Sequence, residues 1–394
     1  MTKPLRALGL MSGTSLDGID VAMLTTDGED VVERGPSATY PYPPAFRALL
    51  RRALADATAI AARDQRPGCL AEVERDLTKR HAAAVASFLT THSLDAASID
   101  VIGFHGQTVL HRPATTFWTL AESPRALLDT PRISAGHTDY MLTVQLGDGS
   151  RLAGQTGVNV VHDLRAADTL AGGQGAPLVP VYHRALAARL PQRPIAFLNI
   201  GGVANLTWIG PTGDLVAFDT GPGNAPIDDF VRERTGQSFD QDGKLAAEGS
   251  ADAATVTRLL AQPYFAASPP KSLDRNTFAI DLPASISTAN GVATLAACVA
   301  GAVAKTVSWL PAPPELWIVC GGGRHNRGLM LALAAALDAA IAPAEALGLD
   351  GDSLEAEAWA YLAVRSLRGL PISFPMTTGV PAPMTGGVLA RGRP

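Results

Sequence analysis

The sequence has 394 residues, of which 47% are hydrophobic and 18% charged, and its formal net charge is −5. This balance is typical of a globular protein and excludes a disordered chain or a coiled coil, while the length predicts two domains. Lys and Arg form no long block, so nucleic acid is not an expected partner.

The cysteines and apolar segments indicate a soluble protein. Cys69, Cys298 and Cys320 stand far apart with no CxxC spacing, which excludes a disulfide framework and a metal knuckle. The apolar run at the N-terminus is too short for a signal peptide. The most apolar later stretch, residues 291–304, falls short of a membrane span. We therefore expect a cytoplasmic protein that makes no membrane contact.

The first half of the chain begins with three predicted strands within residues 5–36, joined by turns rich in Gly and Asp. Helices are predicted at 44–62 and 68–94, and a buried strand at 99–106. The first turn, SGTSLDG, holds more small polar residues and aspartates than a hairpin needs. Because glycine frees backbone N–H groups to point at phosphate oxygens, this turn is a candidate phosphate loop. It lacks the lysine of a P-loop, and an ordinary Asp-Gly hairpin turn is the alternative.

The second half repeats this order of elements. An apolar strand runs into Gly201-Gly202, two further strands follow, and helices dominate residues 224–310 apart from a loop around SPPKSLDRNTF. Another buried strand, at 315–323, leads into a helix. Two halves that each open with a three-stranded meander indicate an internal duplication. Gly-rich turns that face each other across two such domains would form a cleft.

Eight motifs occur in order along the chain: MSGTSLDGID, GFHGQTVLHRP, HDLRAADTLAGGQGAPLVP, FLNIGGVANLT, FDTGPGNAPID, PPKS, VCGGGRHN and LEAEAWAYLAVRSLRGLP. Together they resemble the anhydro-N-acetylmuramic acid kinase family of the actin/hexokinase-like superfamily. The resemblance implies an α/β fold with two duplicated actin/hexokinase-like (RNase H-like) domains and an interdomain cleft. The N-terminal domain would span residues 1–175, with residues 372–394 returning to it, and the C-terminal domain residues 176–371.

The resemblance also implies an activity. Members of the family take 1,6-anhydro-N-acetylmuramic acid, add water at C1 to open the anhydro bridge, and phosphorylate O6 with ATP. The product is N-acetylmuramic acid 6-phosphate, which belongs to cell-wall recycling. ATP and Mg²⁺ are the implied cofactors and the amino sugar the implied partner, while a homodimer is left open. The alternatives are a sugar kinase acting on a free hydroxyl of another amino sugar, and an actin-like ATPase.

Three glycine-containing segments are implied to bind ATP, the first two as phosphate loops and the third as the adenosine site. Asp17 and Asp219 would hold Mg²⁺, directly or through water. Taken without the resemblance, the same segments are compatible with tight turns between strands and helices. The implied ATP-binding residues are Gly13, Thr14, Ser15, Leu16, Asp17, Gly18, Ile19, Asp20, Gly201, Gly202, Asn205, Asp219, Gly321, Gly322 and Gly323.

The catalytic base is expected to be a carboxylate between a strand and a helix. Asp163 directly follows an apolar strand, whereas Asp168 falls inside the next predicted helix on a different face. Capping that helix is the alternative role for Asp163. Because the family and its sugar-kinase relatives carry the catalytic aspartate after such a strand, the resemblance selects Asp163.

Four other residues are candidates for contact with the sugar. The motif GFHGQT places His105, Gln107 and Thr108 after a buried strand, where contacts with sugar hydroxyl or amide groups are expected. A hydrogen-bonded core histidine is the alternative for His105. Arg165 is a candidate to hold the lactyl carboxylate, or else a surface charge.

Glu355 opens an apolar helix, and its position in the family implies a second catalytic carboxylate that orients the sugar or the water. A favourable interaction with the helix dipole is the alternative. Glu357 lies on a different face of the same helix, so one of the two glutamates is expected to point inward and the other to be solvated.

Overall fold

The computed structural model describes residues 2–13, 15–112, 142–273, 278 and 280–392. The described chain forms two compact units. The first contains the described residues up to 189 and again from 353 onward, and the second contains residues 190–352.

The first unit is built on a 7-stranded sheet. Its strands are β1 (Leu5–Ser12), β2 (Gly18–Thr26), β3 (Val32–Pro41), β4 (Val101–Arg112), β5 (Leu142–Leu146), β6 (Val160–His162) and β12 (Val388–Ala390). They lie in the order β12-β6-β4-β1-β2-β3, with β5 paired to β4. Strands β1, β2 and β3 form an antiparallel meander, whereas β1, β4 and β6 run parallel. Strand β4 extends beyond the predicted range 99–106 because it also pairs with β5.

The helices of the first unit cover both faces of this sheet. They are α1 (Pro44–Asp56), α2 (Leu70–Thr91), α3 (Gly149–Thr156), α4 (Ala166–Leu170), α5 (Pro180–Ala187), α12 (Leu354–Leu367) and α13 (Pro375–Thr378). On one face, Phe46 of α1 and Leu77 of α2 join the same buried cluster as Leu8 and Leu10 of β1.

Helix α12 approaches the opposite face of the sheet at close range. Gly9 lies between Leu8 and Leu10, so a side chain there would point away from α1 and α2. A Cβ atom at Gly9 or at Gly103 of β4 would overlap the backbone oxygens of Ala356 and Trp359 of α12. The two glycines therefore let the helix backbone lie directly on the sheet, which fixes the position of Glu355 at the start of the helix.

The second unit is built on a 5-stranded sheet. Its strands are β7 (Ile195–Ile200), β8 (Val203–Ile209), β9 (Leu215–Pro222), β10 (Leu316–Cys320) and β11 (Ala340–Pro343). The order β11-β10-β7-β8-β9 again places an antiparallel meander beside two parallel strands, as β6-β4-β1-β2-β3 does in the first unit. This repeated order confirms the predicted duplication of an α/β domain.

The helices of the second unit are α6 (Ala225–Thr235), α7 (Lys244–Glu248), α8 (Ala253–Leu260), α9 (Pro263–Ala266), α10 (Thr288–Thr306) and α11 (Arg327–Ala336). Helix α10 and the turn after it form the apolar segment Thr288–Trp309, whose 22 residues are long enough to cross a membrane. The stretch predicted over 291–304 was too short because the helix begins earlier, where Ser287 caps it. Since 67% of this segment's most apolar window is buried inside the protein, it has the character of a core helix.

The units divide at places other than the boundaries expected from the sequence. The chain returns to the first unit at Ser353 rather than at residue 372, and the first unit extends to Arg189 rather than to residue 175. The reason is packing, because α12 lies on the first sheet and Tyr182 of α5 donates a 2.6 Å hydrogen bond to Glu357 of α12.

Candidate functional site

The turn between β1 and β2 is braced from the neighbouring strand β4. Gln107 is fully buried; its Oε1 accepts a 2.7 Å hydrogen bond from Ser12 Oγ, and its Nε2 donates to Gly13 O at 3.1 Å. Leu16 has a φ of 57°, and its N–H closes the turn onto Gly13 O at 3.2 Å. The side chain of Gln107 thus shapes the candidate phosphate loop, and its predicted sugar contact would require these bonds to be released.

Two carboxylates flank this turn. Asp17 is exposed, and its Oδ1 accepts a 2.7 Å hydrogen bond from Ser15 Oγ. Asp20 is half-buried within β2 and accepts a 2.6 Å hydrogen bond from Thr39 Oγ1. Of the other residues predicted for this loop, Gly18 and Ile19 begin β2, and Thr14 lies outside the described residues.

Asp163 directly follows the C-terminal end of β6, one of three parallel strands of this sheet. Leu10 of β1 pairs with Phe104 of β4, and Phe104 pairs with His162 of β6. Asp163 directly follows His162 and has a φ of 54°, a left-handed conformation that aspartate adopts more readily than most residues. Its Oδ1 accepts a 2.5 Å hydrogen bond from Arg63 Nη2. No side chain caps α4, so the alternative role of Asp163 as a helix cap is wrong.

Asp168, the other candidate for the catalytic base, is buried in the protein interior. It is 2% exposed, and its two oxygens accept 2.6 Å hydrogen bonds from Gly175 N and Thr378 Oγ1. These bonds tie the loop after α4 to helix α13. The structure therefore separates the two aspartates, since one is partly exposed beside an arginine and the other is buried with both oxygens occupied.

Asp163 borders a pocket of about 270 Å³ in the first unit. Other residues that line it are Arg63, Arg66, His105, Gln145 and His162. Burial lowers the pKa of His162, although Asp163 and Asp148 oppose this shift. Thr108, another predicted sugar contact, accepts a 3.2 Å hydrogen bond from Gln145 Nε2. The pocket thus combines hydrogen-bond donors with the candidate base.

His105 and Arg165 both lie against the ring of Trp359 of α12. The His105 ring centroid lies 4.4 Å from that of Trp359, and the Arg165 guanidinium carbon lies 5.1 Å from it. Arg165 Nε donates to His105 Nε2 at 3.1 Å, so the ring proton is assigned to Nδ1, which donates to Gly106 O at 2.8 Å. Burial and the Arg165 charge lower the pKa of His105 well below 6.5, which makes the ring neutral.

Arg165 is held rather than loose at the surface. Its Nη1 donates to Gly175 O at 2.7 Å, while Nη2 has no hydrogen-bond partner among the described residues. Burial lowers the pKa of Arg165 to about 10, and the negative charges of Glu355 and Asp168 oppose this shift. The side chain therefore stays positive at neutral pH and keeps one N–H₂ group available.

The two glutamates of α12 have different surroundings. Glu357 is 1% exposed and is bonded by Arg34 Nε at 2.7 Å and by the hydroxyl of Tyr182 at 2.6 Å. Glu355 is exposed to solvent, although protein atoms surround its carboxylate. The resulting desolvation raises the pKa of Glu355. The positive charge of Arg165 opposes this rise, and the negative charge of Asp20 adds to it. Glu357 is thus an internal anchor, and Glu355 is the glutamate that remains accessible.

In the second unit, the predicted glycine turns lie together at one end of the sheet. The N–H of Asn224, after β9, donates to Gly201 O at 2.7 Å, and its side chain donates to Ile200 O at 3.1 Å. Gly321 follows β10 with a φ of 72°, and a Cβ atom there would overlap Asn199 Oδ1. A Cβ atom at Gly323 would press against Ile200, while Gly202 is exposed. The segments 201–202 and 321–323 therefore lie side by side, with Gly202 and Gly322 exposed and Gly323 buried.

Polar residues cross the second meander beside these turns. Asn199, Asn205 and Asp219 are register partners on β7, β8 and β9. Asp219 Oδ2 accepts a 2.7 Å hydrogen bond from Leu273 N, and burial raises the pKa of Asp219 to about 7. The described residues offer no cationic partner to this carboxylate and no cluster of three or more metal-ligating side chains. An oxygen ligand without a counter-charge fits a bound Mg²⁺.

Sequence reasoning missed three residues that shape these sites. Arg324 is 7% exposed and bonds Gly321 O at 2.9 Å and Glu345 Oε1 at 2.8 Å, which holds the glycine triplet in place. Lys271 is 4% exposed and donates to the carbonyls of Tyr264 and Ala267. Arg324 lies in the motif VCGGGRHN and Lys271 in PPKS. Their positions next to the glycines and prolines could therefore have identified them from the sequence. Arg63 lies in no motif.

The comparisons with known proteins agree with the motifs. A family profile described as anhydro-N-acetylmuramic acid kinase matches residues 5–391. A protein of that name from Agrobacterium fabrum (strain C58 / ATCC 33970) is 51% identical over 391 residues, which cover 98% of each chain. Another from Bradyrhizobium diazoefficiens is 50% identical over 389 residues, covering 98% of this chain and 99% of that protein.

Solved structures resemble the chain more distantly. A ROK family glucokinase from Streptomyces griseus in complex with glucose and AMPPNP has a TM-score of 0.39 at 12% identity, covering 91% of this chain and 99% of that chain. The activator of the 2-hydroxyisocaproyl-CoA dehydratase from Clostridium difficile with bound ADPNP has a TM-score of 0.43 at 12% identity, covering 92% and 96%. Scores of this size add nothing about function. On its full-length match in sequence, the chain belongs to the anhydro-N-acetylmuramic acid kinase family.

Proposed function

We propose that this protein uses ATP to open 1,6-anhydro-N-acetylmuramic acid with water and to phosphorylate its O6. The observation that carries the proposal is the placement of Asp163 directly after the parallel strand β6, beside a pocket, in a member of this family. Asp163 Oδ1 accepts from Arg63, and Oδ2 has no hydrogen-bond partner among the described residues. A base needs such an available oxygen to take a proton from water.

The proposed reaction couples two displacements. Water attacks C1 of the sugar as Asp163 accepts its proton, so a C1–O bond forms while the bond between C1 and O6 breaks. O6 takes the electron pair of the broken bond and attacks the γ-phosphorus of ATP, and the bond to the β-phosphate oxygen breaks. The products are N-acetylmuramic acid 6-phosphate, ADP and one proton. The sugar centre thus resembles that of an inverting glycosidase in which phosphoryl transfer replaces protonation of the leaving oxygen.

The nucleotide is assigned to the glycine turns of both units. The turn from Gly13 to Asp20 and the segment 201–202 would bind phosphates through backbone N–H groups, and 321–323 would bind adenosine. Asp219, with Asp17, would hold the Mg²⁺ that neutralises phosphate charge during transfer. The support for Asp219 is its desolvated carboxylate, whose raised pKa a nearby cation would reverse.

The sugar is assigned to the first unit. The free Nη2 of Arg165 suits the lactyl carboxylate, because guanidinium groups bind carboxylates with directed hydrogen bonds. Glu355, which is exposed and lies near Arg165, suits a role in orienting the sugar or the attacking water. His105 contributes by holding Arg165 in place. A place in peptidoglycan recycling and a cytoplasmic location follow from this substrate, and a homodimer is left open.

The product of the reaction in ¹⁸O-water tests the proposal. With ATP, Mg²⁺ and 1,6-anhydro-N-acetylmuramic acid, we expect N-acetylmuramic acid 6-phosphate that carries label at C1 and none in the phosphate. Without ATP, no free N-acetylmuramic acid should form. Label in the phosphate, or ring opening without ATP, would contradict the coupled mechanism. Phosphorylation of reducing N-acetylmuramic acid in preference to the anhydro sugar would favour the alternative of a kinase for a free hydroxyl.

A further inference from the structure

Arg63 is a charged neighbour of the candidate base that the proposed reaction leaves without a role. It lies between the turn Ala57–Ala59 and helix α2, 100 residues before Asp163 in the chain. Its Nη2 donates to Asp163 Oδ1 at 2.5 Å, and its Nε donates to Thr143 O of β5 at 3.1 Å. Since β5 is part of the sheet, the guanidinium group is anchored at one end and holds the aspartate at the other.

The hydrogen bond from Arg63 occupies only one of the two carboxylate oxygens of Asp163. Both side chains keep some exposure, 32% for Arg63 and 29% for Asp163, so the pair lies at the wall of the pocket. One carboxylate oxygen is held by Arg63, while the other has no partner among the described residues. Because the two oxygens are rigidly joined, fixing Oδ1 also fixes the direction in which Oδ2 points.

Arg66, a second arginine that lines the same pocket, has a structural role. Arg66 binds Glu74 through two hydrogen bonds, of 3.0 Å and 2.9 Å, so its charge is balanced within the protein. Arg66 Nη1 also donates to Arg63 O at 2.8 Å and holds the backbone of Arg63. Arg66 is thus paired with Glu74. Arg63 is bonded to a different carboxylate, that of Asp163, and to no other among the described residues.

We propose that Arg63 is a positioning residue that aims Asp163 at the attacking water, an inference that rests on the proposed function. The guanidinium group takes one oxygen of the carboxylate and directs the other into the pocket, as a third group orients the base in other catalytic sets. Arg63 itself need not touch the sugar. Its removal should therefore slow the chemical step and leave substrate binding in place.

Arg63→Met tests this role, with Arg63→Lys as the conservative variant. We expect Arg63→Met to lower kcat about 10²-fold, since misplacement of a catalytic group by about 1 Å costs this much, and to leave KM for the sugar unchanged. Arg63→Lys should recover part of the loss, because its ammonium keeps the charge without the planar fork. Arg63→Ala should regain activity when guanidinium ions are added at concentrations that do not unfold the protein.

The matched control is Arg80→Met, which breaks an ion pair with Asp76 on α2 and does not alter the lining of the pocket beside Asp163. This variant should keep wild-type kcat and should not respond to guanidinium. Equal kcat for Arg63→Met and wild type, or a loss confined to KM or to thermal stability, would overturn the positioning role. Failure of the wild-type protein to phosphorylate the sugar would instead remove the proposed function, and this inference with it.

Discussion

At the scale of single residues, the site depends on which of two aspartates is available to react. Asp163 and Asp168 lie five positions apart in one motif, Asp163 before helix α4 and Asp168 within it. The left-handed backbone at Asp163 directs its side chain to Arg63 and the pocket. Both carboxylate oxygens of Asp168 instead accept hydrogen bonds, from Gly175 and Thr378. Two identical side chains therefore have different surroundings, one partly exposed and one with both oxygens bonded.

This contrast gives a paired prediction. Asp163→Asn should lower turnover about 10²–10⁴-fold, the usual effect of losing a general base, while ATP binding measured by calorimetry stays unchanged. Asp168→Asn should lower the melting temperature, because an amide cannot accept at both of its ends from Gly175 and Thr378. Steady-state kinetics and thermal unfolding of the two variants separate these effects. An Asp163→Asn enzyme that turns over near the wild-type rate would contradict the assignment.

A buried histidine gives a prediction on stability against pH. His81 of α2 is fully buried, and burial lowers its pKa from 6.5 to about 4. Between these values the unfolded chain binds the proton and the folded chain does not, so stability is lost as pH falls from 6.5 toward 4. At about 1.4 kcal/mol per pKa unit, the neutral burial of this residue lowers the free energy of unfolding by about 3 kcal/mol between pH 6.5 and pH 4.

We expect His81→Phe to flatten that part of the pH dependence, since an apolar ring would replace the imidazole beside Phe104. Urea unfolding from pH 6.5 down to 4 measures the slope. His92→Phe, at the end of the same helix, is the control. The same slope in His81→Phe as in the wild type would mean that other groups govern acid unfolding.

At the scale of elements, the segment from Tyr264 to Leu273 places Asp219. The hydroxyl of Tyr264 donates to Asp219 O at 2.5 Å, Asp219 N donates to Lys271 O at 3.0 Å, and Leu273 N donates to Asp219 Oδ2 at 2.7 Å. Lys271 Nζ closes this segment on itself by bonding the carbonyls of Tyr264 and Ala267 and lies 4.6 Å from the Tyr264 ring centroid. A buried lysine thus organises the loop that holds the proposed metal ligand.

Lys271→Met should therefore raise the Mg²⁺ concentration needed for half-maximal activity. Methionine fills similar space but leaves two carbonyls without their donor, which costs about 1–3 kcal/mol for each buried group and shifts the loop. Activity measured against Mg²⁺ concentration at saturating ATP and sugar tests this expectation. The control is Lys305→Met, on the exposed end of α10. An unchanged Mg²⁺ requirement in Lys271→Met would show that Asp219 does not depend on this loop for metal binding.

At the scale of the whole molecule, the residues with proposed roles belong to two compact units. Asp163, Glu355 and the turn from Gly13 to Asp20 belong to the first unit, and the segments 201–202 and 321–323 to the second. Phosphoryl transfer needs the sugar and the nucleotide in contact, so the units are expected to close around them.

Small-angle scattering tests this closure. We expect a smaller radius of gyration when a non-hydrolysable ATP analogue is added together with Mg²⁺ than in the free protein. The sugar alone serves as the comparison, because it is assigned to one unit only and should not draw the second unit closer. The same radius of gyration with and without the nucleotide analogue would mean that the units do not move on binding.

The sequence by itself determined the features that depend on neighbouring residues. Alternating apolar residues and Gly-rich turns predicted both meanders, and the structure confirms them. The three cysteines are free, as their spacing indicated, and the structure buries all three. Eight motifs identified the family. Asp163 stays a prediction, which the resemblance to the family selected because it directly follows an apolar strand.

Only the tertiary structure decided the features that join distant segments. Glu357 rather than Glu355 became the buried glutamate because Arg34 and Tyr182, far away in the chain, bond it. Helix α12 joined the first unit because Gly9 and Gly103 leave room for its backbone. Arg63 reaches Asp163 across 100 residues and lies in no motif. Local periodicity cannot predict such contacts, because they depend on how separate elements pack once their apolar faces are buried.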